Sequence, residues 1–252
     1  MASPLGKVRV GTSGWHYAHW RGLFYPADLP PAKMLRWYAE RFGTVEINNS
    51  FYRLPTTDAL KLWCKETPSN FCFAVKASRY ITHNRKLLEP RETTKKFVLQ
   101  IRKLGKRLGP ILFQLPPTWK INLERLEDFL RALPRNRRYA VEFRNPTWNV
   151  AEVYETLRRH NTAYCIFELA GFQSPVEVTA DFAYVRLHGP GNKYQGSYDK
   201  KQLDTWAKQI EAWRHEHKDV YIYFDNDQAG YAAQNALQLK QMLSPSHAAE
   251  AA

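Results

Sequence analysis

Residues 71–76 read Phe-Cys-Phe-Ala-Val-Lys, and residues 111–114 read Ile-Leu-Phe-Gln. Both runs are short, apolar and rich in strand-forming types, the signature of buried strands. Between them, Arg91–Arg107 places Phe97, Ile101 and Leu104 at three- and four-residue spacing, with Leu108 continuing the series. That period predicts one amphipathic helix over 91–107. Strand, helix and strand in succession make a crossover, which parallel pairing requires.

The same alternation extends in both directions. Further strands are expected at Val8–Gly11, Thr44–Asn48, Tyr139–Phe143, Ala163–Phe167, Ala183–Leu187 and Val220–Phe224. Helical spacing marks Lys33–Phe42, Asp58–Lys65, Leu123–Leu133, Val150–His160, Lys201–His215 and Ala229–Met242. Only the sixth strand lacks a helix, and Ala170–Ala180 reads as a loop, an irregular unit in the repeat. Eight such units predict an α/β fold, a single-domain (β/α)8 TIM-type barrel over residues 8–243, followed by a frayed tail at 244–252. An open doubly wound sheet is the alternative. No glycine-rich phosphate loop follows the first strand to favour it.

The whole chain fits that picture. Its 252 residues are 44% hydrophobic and 24% charged, which excludes collagen-like and disordered classes. No run approaches the ~20 apolar residues of a membrane span, so no membrane partner is expected. Met1–Val10 lacks the apolar core of a secretory signal. Cys64, Cys72 and Cys165 show no CxxC spacing, so a reduced, cytoplasmic setting is expected.

Successive strand side chains point to opposite faces, so each strand splits by parity. One face collects Glu46, Asn48 and Ser50; Ala74, Lys76 and Ser78; Gln114; Ala140, Glu142 and Arg144; Tyr164, Ile166 and Glu168; Tyr184, Arg186 and His188; and Tyr221, Tyr223 and Asp225. A purely structural interior would favour Val, Ile and Leu. Here polarity rises toward the C-terminal strand ends, where barrel enzymes keep their sites. Two readings follow: a polar pocket, or a self-satisfied salt-bridge plug.

Motifs punctuate these elements: Gly11-Thr12-Ser13-Gly14-Trp15 with Tyr17 and Trp20; Thr44-Val45-Glu46-Ile47-Asn48-Asn49-Ser50-Phe51-Tyr52-Arg53-Leu54-Pro55; Leu112-Phe113-Gln114-Leu115-Pro116-Pro117; Glu142-Phe143-Arg144; Tyr184-Val185-Arg186-Leu187-His188-Gly189; and Tyr223-Phe224-Asp225-Asn226-Asp227. In order and content the chain resembles the YecE-like family, the domain of unknown function 72. The resemblance spans about residues 8–243. It implies a TIM-type barrel and supplies no reaction. Two departures stand out. The family's last motif more often reads Phe-Asn-Asn-Asp, so Asp225 replaces an amide, and Glu168 stands where an Asp-containing segment is expected.

Several chemistries suit the lining. Glu142, Glu168, His188 and Asp225, one per strand, are donors for a divalent metal, although Arg144 and Arg186 on the same faces would compete with it. Lys76, Arg144 and Arg186, joined by Arg53, suit phosphate or carboxylate capture. His188 or Glu46 would then exchange protons, and a desolvated Lys76 would suit Schiff-base chemistry. Its plainer role is neutralising Glu46 or Glu142. The catalytic expectation is thus Glu46, Lys76, Glu142, His188 and Asp225. The binding set is Trp15, Tyr17, Asn48, Tyr52, Arg53, Gln114, Arg144, Arg186 and Asn226.

Trp15, His16, Tyr17, Trp20, Phe24 and Tyr25, with Phe51 and Tyr52, read equally as a stacking surface or a hydrophobic lid. The net charge is +13. Residues 79–107 hold ten Lys or Arg against Glu89 and Glu92, a net +8 in one segment. Charge runs are usually solvated faces, but this excess also suits phosphate contacts through Lys95, Lys96, Lys103 and Arg107. The expected function is binding of a polar phosphate- or sugar-containing small molecule at the barrel mouth, with isomerase, epimerase or hydrolase chemistry. The alternative is nucleic-acid binding, including a phosphodiester-cleaving nuclease.

Overall fold

A computed structural model describes residues 4–244, so most of the 244–252 tail lies outside the described residues. The fold is α/β, of the TIM-type barrel class. The elements in chain order are β1 (Val8–Thr12), α1 (Met34–Ala39), β2 (Thr44–Ile47), α2 (Thr57–Glu66), β3 (Cys72–Lys76), α3 (Pro90–Ile101), β4 (Leu108–Gln114), α4 (Leu123–Ala132), β5 (Tyr139–Glu142), α5 (Ala151–Arg159), β6 (Ala163–Leu169), β7 (Phe172–Gln173), β8 (Phe182–Leu187), α6 (Lys200–His215), β9 (Asp219–Phe224) and α7 (Tyr231–Met242). Each strand of the repeat except β6 is followed by a helix. After β6 the chain folds back as the short antiparallel β7, pairing Glu168 with Gln173 and Leu169 with Phe172. Where a loop is expected at 170–180, the irregular unit opens as a short hairpin, and no helix follows β6.

The residues form two compact units. One comprises 1–45, 166–174 and 181–252; the other comprises 46–165 and 175–180. In the first, β1, β9 and β8 pair in parallel, with Val10 opposite Ile222 and Arg186 opposite Tyr223. Gly11 is needed there because a Cβ would meet the Thr44 carbonyl oxygen at 2.4 Å. Helix α6 starts at a reciprocal cap between Asp199 and Gln202, which satisfies two otherwise unpaired N–H groups. It buries Leu203, Trp206, Ile210 and Trp213 along one stripe, each such side chain contributing roughly 1.5–3 kcal/mol.

In the second unit, β3, β4, β5 and β6 pair in parallel, with Lys76 opposite Leu112 and Gln114 opposite Glu142. Helix α4 is capped by the Asn122 side chain and buries Leu126, Phe129 and Leu130.

Two expectations are corrected here. The single helix over 91–107 ends at Ile101; residues 102–107 form a tight 3-10 segment broken at Gly105, whose φ is 58°. Leu108 opens β4 rather than lining a helix. Likewise β2 stops at Ile47, and Asn49–Phe51 turns as a 3-10 segment. Strand parity therefore does not carry through Asn48 and Ser50. The Ser50 hydroxyl instead donates to the backbone oxygens of Ile47 and Lys76.

Candidate functional site at the strand ends

In the first unit the β8–β9 register sets Arg186 beside Tyr223, so Arg186, His188 and Asp225 leave the same side of adjacent strand ends. Tyr184, Tyr221 and Tyr223 pack below them as an aromatic layer. His188 Nδ1 lies 2.9 Å from Asp225 Oδ2, and Arg186 Nη2 donates to that oxygen at 3.2 Å. An ionised carboxylate only accepts, so it fixes the proton on His188 Nδ1. Nε2 then carries the lone pair, and Arg186 Nη1, a donor, stands 3.4 Å from it. Arg186 and His188 are 1% and 0% exposed, whereas Asp225 is 14% exposed. Solvent thus meets this cluster at a carboxylate.

A loop frames the cluster. The His188 N–H donates to the Glu168 carbonyl oxygen, and the ring meets Tyr194 edge-on at 5.4 Å. Tyr198 anchors the loop by accepting from the Gly189 N–H at 3.1 Å. Buried Asn226 donates to the Gly196 carbonyl oxygen and to Asn235 Oδ1, while its own Oδ1 has no hydrogen-bond partner. Burial pushes the Glu168 carboxyl above its usual range, against the lowering effect of hydrogen bonds from Tyr198 and Trp206. Burial likewise raises Asp227; hydrogen bonds from Trp20 and His19 oppose this, and nearby Asp225 adds to it.

In the second unit, Glu142 ends β5 fully buried and pairs with Arg144, whose side chain is 8% exposed. Cys165 Sγ donates weakly to the other carboxylate oxygen at 3.7 Å. Lys76 closes β3 with its Nζ 4.6 Å over the Phe51 ring. Glu46 is buried in β2, and Gln114 is half-buried at the end of β4. Tyr52 and Arg53 are exposed beyond the Asn49–Phe51 turn, and Asn48 is half-buried before it.

The sequence-predicted residues therefore separate by role. Arg186, His188 and Asp225 come together, as do Glu142 and Arg144. Trp15 is buried, with its carbonyl oxygen accepting from the Tyr25 hydroxyl, and Tyr17 donates to the Ser13 carbonyl oxygen. Trp20 and Tyr25 are core as well, so this aromatic loop is chiefly packing. Among the described residues no three His, Cys, Asp or Glu side chains are grouped to hold a metal ion. The four groups of the metal reading are engaged by Arg144, by Trp206 and Tyr198, and by the Arg186 cluster.

On the basic segment, Lys95 and Lys96 are exposed on α3. Lys103 and Arg107 lie beyond that helix. Lys103 donates to Thr57 Oγ1 and Gln100 Oε1, and Arg107 to the carbonyl oxygens of Thr67 and Pro68. Sequence reasoning passed over Tyr194, Tyr198 and Trp206, which sit in a loop and on a helix where strand parity gives no signal.

Comparison with known proteins bears on the whole chain. The profile of the family described as "Protein of unknown function DUF72" matches residues 9–252. The UPF0759 protein YunF of Bacillus subtilis is 26% identical over 270 residues, covering 94% of each chain. YecE of Escherichia coli K12 is 29% identical over 154 residues, 60% of this chain and 54% of YecE. A solved DUF72 family protein from Thermotoga maritima is 32% identical with a TM-score of 0.86, covering 94% of this chain and 99% of its own. One from Enterococcus faecalis reaches a TM-score of 0.80 at 20% identity over 94% and 95% of the two chains, a likeness of fold. No helix among the described residues is long and apolar enough to cross a membrane.

Proposed function

Since this chain belongs to the DUF72 family, whose fold confers no reaction by itself, we propose its function from the site: it binds a polar, sugar- or phosphate-bearing small molecule at its C-terminal strand ends. The observation that carries this reading is the Arg186–His188–Asp225 cluster, buried except at the Asp225 carboxylate. A carboxylate facing solvent accepts hydrogen bonds, so the groups it suits are sugar hydroxyls. Asn226 Oδ1 is a second acceptor without a protein partner, and a buried acceptor left unpaired costs roughly 1–3 kcal/mol. Separately, in the second unit, Arg144 is the more exposed member of its own pair and the group there suited to an anion such as phosphate. His188, with Nδ1 held by Asp225, is the candidate base, its Nε2 standing 3.4 Å from Arg186 Nη1. That is acid–base chemistry of the kind isomerases, epimerases and hydrolases use.

Calorimetry with a hexose, its phosphate and inorganic phosphate tests the reading. Asp225→Asn should weaken hexose binding about tenfold while leaving inorganic phosphate unchanged. Arg144→Lys should weaken inorganic phosphate and leave the hexose unchanged. Unchanged binding in both variants, or no binding to the wild-type protein, overturns it.

A second reading rests on the basic face of α3 and the 3-10 segment that follows it. Lys95, Lys96 and Lys103, with Glu92, Leu99 and Gln100, line a surface groove of about 550 Å³. Phosphate contacts by such lysines predict nucleic-acid binding whose affinity falls steeply with salt, because bound counterions are released. Lys95→Glu with Lys96→Glu should remove it. Binding that survives both changes leaves α3 a solvated face.

A further inference from the structure

The loops after β2 and β3 carry two large aromatics that the fold leaves in solvent. Tyr52 is 75% exposed and Tyr80 is 50% exposed. Phe51 and Ile81 beside them are buried. Phe51 joins the two loops: its ring meets Tyr52 at 4.9 Å and His83 at 5.0 Å, both edge-on, and His83 belongs to the turn that Tyr80 opens. Cations surround this aromatic strip. Lys76 stands over Phe51, and Arg53 and Arg79, each next in sequence to an exposed tyrosine, are themselves exposed. Burial, and then the charges of Lys76 and Arg79, hold His83 below its ordinary pKa.

Bases offer a flat π-face to exposed aromatics only when they are unstacked, and their backbone offers one phosphate per residue to neighbouring cations. Duplex DNA hides those faces. We propose that Tyr52 and Tyr80 form a stacking platform for single-stranded nucleic acid, with Arg53, Arg79 and Lys76 contacting its phosphates. This rests on the second reading above and names the form of nucleic acid involved. Helix α3 follows the Tyr80–Asn84 turn within the same unit.

Fluorescence anisotropy with a labelled twenty-nucleotide oligothymidine and with a duplex of equal length tests it. Tyr52→Ala with Tyr80→Ala should weaken single-strand binding tenfold or more, since each stacked base contributes about 1–3 kcal/mol. Duplex binding and the salt slope should not move. Tyr52→Phe with Tyr80→Phe should restore full affinity, because the ring does the stacking. Both tyrosines are exposed, so melting curves should coincide with wild type. Unchanged single-strand affinity in the alanine variant overturns the platform while leaving the lysine reading standing. Loss of binding in both the alanine and phenylalanine variants also overturns it. Absence of wild-type binding to either oligonucleotide removes the nucleic-acid reading and the platform with it.

Discussion

Two buried ion clusters end strands of this barrel fold, and they face solvent with opposite sign. At Arg186–His188–Asp225 the arginine side chain is 1% exposed and the aspartate 14%; at Glu142–Arg144 the glutamate is fully buried and the arginine side chain is 8% exposed. Composition alone would treat the two as equivalent arginine–carboxylate pairs. Burial separates them, because the sealed member sets what the pair costs to break and the open member sets what a ligand meets. On the reading proposed above, the first cluster would accept from hydroxyls and the second would donate to anions.

The sharpest way to break this contrast is to remove the open member of each pair. Arg144→Ala leaves Glu142, which is fully buried, without its guanidinium. Removing one partner of a buried pair typically costs about 3–5 kcal/mol, and the expected result is a large fall in urea midpoint. Asp225→Asn should cost far less, on the order of 1 kcal/mol. The amide oxygen still accepts from His188 Nδ1. The imidazole also gives Arg186 a second neighbour. Equal losses in the two variants would mean that the clusters do not differ as their exposures indicate.

Much of this was legible from strand parity. Glu142 and Arg186 fall on the lining face by simple alternation, and both are buried where that alternation puts them. Alternation breaks down where the backbone leaves its period. Apolar spacing through Phe97, Ile101, Leu104 and Leu108 fits a helix, but Gly105 adopts a positive φ and Leu108 starts a strand, which removes Lys103 and Arg107 from α3. Parity likewise overran β2 by assigning Asn48 and Ser50 to an extended chain that has already turned. Tyr80 and Tyr198 were invisible for another reason. Their importance lies in exposure and hydrogen bonding, which no repeat in the sequence records.

The smallest effect refines the first cluster alone. Glu168, whose backbone oxygen accepts from the His188 N–H, is a carboxyl raised by burial above its ordinary value of 4.5. Between that value and its higher folded value, the unfolded chain has released this proton and the native protein still holds it. Fewer protons bound on unfolding means that stability falls as pH rises through this window. Glu168→Gln removes the titrating group while keeping an acceptor for Trp206 and Tyr198. Denaturation midpoints followed upward from pH 4 should therefore decline less steeply in the variant than in wild type. Parallel pH profiles would mean that Glu168 is ionised in the native state as readily as in water. In that case the carboxyl behind His188 would be a solvated anion, and the sealed side of the Arg186 cluster would be more open than its burial indicates.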